Sequence, residues 1–139
     1  MRFATRHPQW EARLAEALAA WQGRPYRFAP GQDCIGFVLA AIEAVTGERL
    51  VFELKPYRSP AGQARALRAA GWASLPAAAD DCLGGRIAPL QAMCGDVVSD
   101  GSVLGIMTRA GPQAFGEGGM VRMAPASITA AWPVGRADG

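Results

Sequence analysis

Histidine is nearly missing from this chain: His7 is the single imidazole in 139 residues. That scarcity excludes a histidine-rich metal centre. Cysteine is sparse too. Cys34, Cys82 and Cys94 are odd in number and show no CxxC spacing, which argues against a disulfide framework and a zinc ribbon. No metal and no cofactor are expected, and reduced thiols fit synthesis in the cytoplasm. Long apolar runs are absent. The longest surrounds Ile35 to Ile42, far short of the roughly 20 residues a membrane helix requires. The start, MRFATRHPQWEARL, lacks the apolar stretch of roughly 7–15 residues that a secretory signal carries. Strong charge of one sign is missing as well. The 14 basic and 12 acidic residues leave +2, no footprint for nucleic acid. Repeats and low-complexity blocks are absent, and Gly116 to Gly119 is no phosphate loop because no GK[ST] follows.

What is present suffices for one domain over residues 1–139. Half of the chain is hydrophobic, enough for a real core without disulfides. Residues 8–84 favour helix through Ala, Leu, Arg and Glu. The first helix is expected from Pro8 to Gln22, with Trp10, Leu14, Ala17, Leu18 and Trp21 as its buried stripe. The second starts at Asp33 or Cys34 and stops at Gly47. It is apolar on nearly every face, which marks a central buried helix. Ser59-Pro60 opens a third, with Ala64, Leu67 and Ala70 facing the core. A short fourth covers Leu75 to Leu83. Strands follow at 95–98, 102–108, 113–115 and 120–123, with a hairpin turn at Asp100-Gly101. Pro125 to Ala131 reads as a final helical turn. Helices first and strands second predict an α+β fold, with N-terminal helices packed on a C-terminal antiparallel sheet of four or five strands.

The stretch Gly23 to Phe37 carries the chemistry. Asp33 is a good helix N-cap. Cys34 behind it sits where the helix dipole and free amides favour an anion, which lowers a thiol's pKa. The same amides suit a developing oxyanion. Gly36 allows another segment to approach closely. The plainer reading is that a free cysteine packs as a small hydrophobe.

G-x-P-Y followed by G-x-D-C-x-G-F resembles the nucleophile motif of the NlpC/P60 cysteine peptidases, which have a papain-like fold. The resemblance implies Cys34 as nucleophile, Tyr26 as the tyrosine lining the site and Asp33 as the residue before the nucleophile. Ile35 departs from the usual small serine. Gly95-Asp96-Val97-Val98 and Val103-Leu104-Gly105-Ile106 resemble the family's two following strands. In that register the catalytic histidine is replaced by Val103, with Ser102 beside it, and neither can act as a base. The third polar position falls near Phe115 to Glu117, without an imidazole. Over nearly the whole chain, the sequence is also similar to a group of short prophage-encoded proteins of unknown function. The shared blocks are Trp10 to Leu14, Asp33 to Gly47, Tyr57 to Ser59, Gly95 to Val98, Leu104 to Ile106 and Ala131-Trp132. That group usually has a histidine where Gln32 stands here.

The resemblance implies a phage or prophage tail-tip protein, made in the bacterial cytoplasm and carried in the virion tail. Its partners would be other tail proteins, and possible contact with peptidoglycan follows from the family. Three functions compete: an inactive structural protein on a peptidase fold, a cysteine hydrolase cutting peptidoglycan peptides through Cys34, and a module that binds a peptide or partner without cleavage. His7 reads as a surface or capping residue, since it lies far in sequence from the sheet. Asp100 and Glu117 read as solvated turn residues, Asp96 as a strand start or an orienting group, and Asp80-Asp81 as too few ligands for calcium. The four tryptophans are core candidates first, and Cys82 and Cys94 read as buried or incidental thiols.

Overall fold

A cap at each end delimits the central helix. Asp33 accepts the Gly36 amide through its side chain, and Gly47 closes the helix in the left-handed region at φ 76°. Between them α2 (Cys34–Thr46) is apolar save for Glu43 and Thr46, with no acid in its first turn and no base in its last. Phe37, Ile42 and Val45 are almost wholly buried, each burial worth about 1.5–3 kcal/mol. The structure is a computed structural model, and it describes residues 5–50 and 53–136.

Around α2 lie α1 (Trp10–Gln22), α3 (Pro60–Ala69) and α4 (Leu75–Leu83), the last two capped by Ser59 and Ser74 with proline in the first turn. Then come β1 (Val97–Ser99), β2 (Leu104–Thr108), β3 (Gly111–Gly116), β4 (Gly119–Arg122) and β5 (Ala130–Trp132). The sheet order is β4-β3-β2-β1-β5, and every pairing is antiparallel. The fold is α+β: four helices followed by a five-stranded antiparallel sheet. α2 packs against α1 on one side and against β2 and β3 on the other. Successive strand residues face opposite sides of the sheet. Val97 therefore joins the main core under the helices, while Val98 joins a small cluster with Ile87, Ile128 and Ala131 on the other face.

Several sequence expectations shift. α1 begins at Trp10 rather than Pro8, because the Gln9 amide donates to His7 Nδ1 and the Trp10 amide to the His7 carbonyl, forming a turn first. Ala70 does not face the core. It caps α3 and is exposed, and Ala66 is buried beside Leu67 instead. The second strand starts at Leu104 rather than Ser102, since Asp100 Oδ1 takes the amides of Ser102 (2.9 Å) and Val103 (3.0 Å) into a turn. The expected helical turn at 125–131 is only a 3-10 turn over Pro125–Ser127. β5 follows it, because Ala130 to Trp132 find pairing partners along β1, and that pairing outweighs weak local preference.

Candidate functional site

Cys34 heads α2 and is 4% exposed. Its thiol is pushed up to about 12, first by burial and next by the Asp33 carboxylate. The backbone amides of Leu104, Cys34 and Ile35 act in the opposite sense and lose. The lowered pKa expected from the helix terminus is therefore overturned: at this position desolvation is larger than the dipole. At neutral pH the group is a thiol, not a thiolate.

Asp33 is 0% exposed, yet no cation pairs with it among the described residues. Three donors take that role. The Gly36 amide donates to Oδ1 at 3.2 Å, Gln63 Nε2 donates to Oδ2 at 3.0 Å, and the Tyr57 hydroxyl donates to Oδ2 as well. Burial, then this bond, raise the Tyr57 phenol. The carboxylate thus ties the loop before α3, and α3 itself, to the first turn of α2. Gly36 permits the loop to fold over that turn: a Cβ there would lie 2.6 Å from the Gly31 carbonyl carbon.

Tyr26 stands close enough that Cys34, Asp33 and Glu117 all raise its phenol, after the larger effect of burial. Its ring packs edge-on to Phe28 at 5.0 Å and tilted to Phe115 at 5.5 Å. Its hydroxyl makes no hydrogen bond to a described residue. The sequence-assigned group of Tyr26, Asp33 and Cys34 is therefore one neighbourhood in space.

The Leu104 amide acts on the Cys34 sulfur, so the start of β2 meets the start of α2. Val103 directly precedes it, half-buried against the main core. Ser102 is exposed and its hydroxyl donates to Asp100 Oδ1 at 3.1 Å. Phe115 is core, and Glu117 lies exposed in the β3–β4 turn. His7 is far away. Its ring contacts the Cβ position of Gly47 and its amide donates to the Val45 carbonyl. That places it at the other end of a 13-residue helix, about 20 Å from Cys34. No imidazole reaches the thiol among the described residues, so a cysteine–histidine nucleophile cannot form there within one chain. No group of three or more His, Cys, Asp or Glu is placed to hold a metal among those residues. None of their helices is long and apolar enough to cross a membrane.

Asp96 proved to be more than a strand start. Its carboxylate is 0% exposed between two arginines. Arg6 Nη2 donates to Oδ1 at 3.0 Å, Arg136 Nε donates to Oδ2 at 3.1 Å, and the amides of Met93 and Val134 complete the set. Arg6 also donates to the carbonyls of Cys94 and Val134 and lies over the Trp10 ring. The knot fastens residues from both ends of the domain to the head of β1. Cys94 is half-buried behind it. Asp80 receives the Arg86 guanidinium through two hydrogen bonds and the Trp132 indole through a third, and these hold it below its ordinary range despite some burial.

An α+β domain with a buried cysteine at the head of its central helix is the class that fold and site define. The chain belongs to the family described as a domain of unknown function, DUF6950, whose profile matches residues 5–134. No curated protein and no solved structure matches it.

Proposed function

We propose that this protein is a phage or prophage tail-tip component built on an NlpC/P60-type, papain-like fold that has lost its catalytic base and serves as structure. One observation carries the reading. The Leu104 amide reaches the Cys34 sulfur, and the residue just before it, Val103, is the one that the motif register assigns to the base position and is half-buried against the core. A buried thiol near pKa 12 without an imidazole is a poor nucleophile. The Asp33 bonds to Tyr57 and Gln63 are those of a fastened joint, with the carboxylate committed to holding α2 and α3 together. The tail assignment rests on the sequence blocks shared with prophage proteins.

The experiment has two arms. Purified protein and its Cys34→Ala variant are incubated with peptidoglycan, and the released peptides are counted. Induced particles are then probed for the protein in the tail fraction. The proposal predicts no release by either protein and presence in the tails of both. Release by wild type that vanishes in Cys34→Ala would make the protein a peptidase, and absence from the particles would remove the tail role.

A further inference from the structure

The groove beside α3 goes beyond the peptidase-like reading and does not depend on it. It measures about 580 Å³ and is lined by Lys55, Arg58 and Arg65 with no carboxylate. Pro56, Tyr57, Ala66 and Ala69 give the lining its apolar part. All three cations are exposed, and none has an ion-pair partner among the described residues. Arg6, Arg86, Arg109 and Arg136 each have a carboxylate partner. Other exposed arginines, Arg27, Arg68 and Arg122 among them, have none among the described residues either, so the informative feature is the clustering of three such cations. Three unpaired cations share a concave surface in a chain whose net charge is only +2. Glu53, two residues before Lys55, does not line the groove.

We infer that this groove binds an acidic, extended segment of a protein partner. Pockets of roughly 300–1,000 Å³ enclose ligands well above the size of a single phosphate. Three positive charges among apolar lining residues suit several carboxylates alternating with small apolar groups. Single-stranded nucleic acid is disfavoured by the missing stacking platform, since the aromatic in the lining, Tyr57, is itself buried. The charges set affinity through complementarity and are weakened by salt.

The test uses full-length protein and an acetylated hexaglutamate peptide, followed by titration calorimetry. Saturable binding is expected, weakening about tenfold or more in Arg58→Glu and in Arg65→Glu, and falling as salt rises from about 50 to about 500 mM. Arg68→Glu, on the same helix but outside the groove lining, is the control and should stay within about twofold of wild type. Lys55 is the sole lysine of the chain, so a carbodiimide should join the bound peptide to that residue in preference to the α-amine, the other primary amine. The inference is overturned if hexaglutamate does not bind saturably, if Arg68→Glu weakens binding as much as Arg65→Glu, or if inorganic phosphate binds as tightly as the peptide.

Discussion

Replacing Asp33 by alanine tests the joint between α2 and α3. The substitution removes the N-cap of α2, worth about 1 kcal/mol. It also strips the acceptor from the buried Tyr57 hydroxyl, a bond to a charged group worth about 1.5–3 kcal/mol. Gln63 is only partly buried and regains water at little cost. Removing a buried carboxylate without a cation partner gives back some desolvation energy. The net loss should be about 3 kcal/mol, or roughly 10 °C in Tm for a domain of this size. Denaturant unfolding of wild type, Asp33→Ala, Tyr57→Phe and the double variant isolates the shared term. If the Tyr57–Asp33 bond carries the joint, the double variant costs about 1.5 kcal/mol less than the two single losses combined. Additive losses, or an Asp33→Ala variant within about 0.5 kcal/mol of wild type, would refute the reasoning. The same variant should move the Cys34 thiol downward, because the Asp33 charge is the second cause of its elevation. The thiol should still stay above an ordinary cysteine, since burial is the first.

Asp96→Ala leaves Arg6 and Arg136 facing each other without their shared carboxylate. A thermal melt should show a loss of about 3–5 kcal/mol, and a loss below about 1 kcal/mol would mean that the knot is ornamental. Alkaline pH should destabilise the protein in a defined window. The Cys34 thiol titrates near 9 when unperturbed and at about 12 in the fold. Its protonated form therefore favours folding fully below pH 9, and that contribution is lost as pH rises from 9 through 12. Stability should fall by up to about 1.4 kcal/mol per pH unit from this group. Cys34→Ala should flatten the slope, leaving the part due to Tyr26 and Tyr57. An unchanged slope would mean that the thiol is not held protonated by the fold.

The helices were legible because their ends are written in local chemistry. Asp33, Ser59 and Ser74 cap, Pro60 and Pro76 start, and Gly47 stops. The fifth strand was not legible. Ala130 and Ala131 disfavour a strand and Trp132 alone is too short a signal, so only their pairing with β1 makes them one. At the site, Tyr26, Asp33 and Cys34 were readable from one short motif. Tyr57 was visible only as part of a shared Tyr-Arg-Ser block, and Gln63 carried no signal, because their role depends on a contact across 24 and 30 residues of chain. The Arg6–Asp96–Arg136 knot escaped for the same reason, with partners 90 and 40 residues away. Placement of the thiol at a helix N-terminus predicted its activation. Burial, which no local pattern encodes, reversed the sign.

The central claim, that Cys34 is a buried thiol held protonated by the fold, is tested most directly by alkylating it with iodoacetamide from pH 5 to 12, with Cys82 and Cys94 replaced by alanine. A thiol near pKa 12 should react at pH 7 at least about a thousandfold more slowly than free cysteine, from ionisation alone. Its rate should climb only in the alkaline range, where the fold itself loosens. Rapid alkylation at neutral pH with a midpoint below about 8.5 would contradict the account and return Cys34 to service as an activated nucleophile.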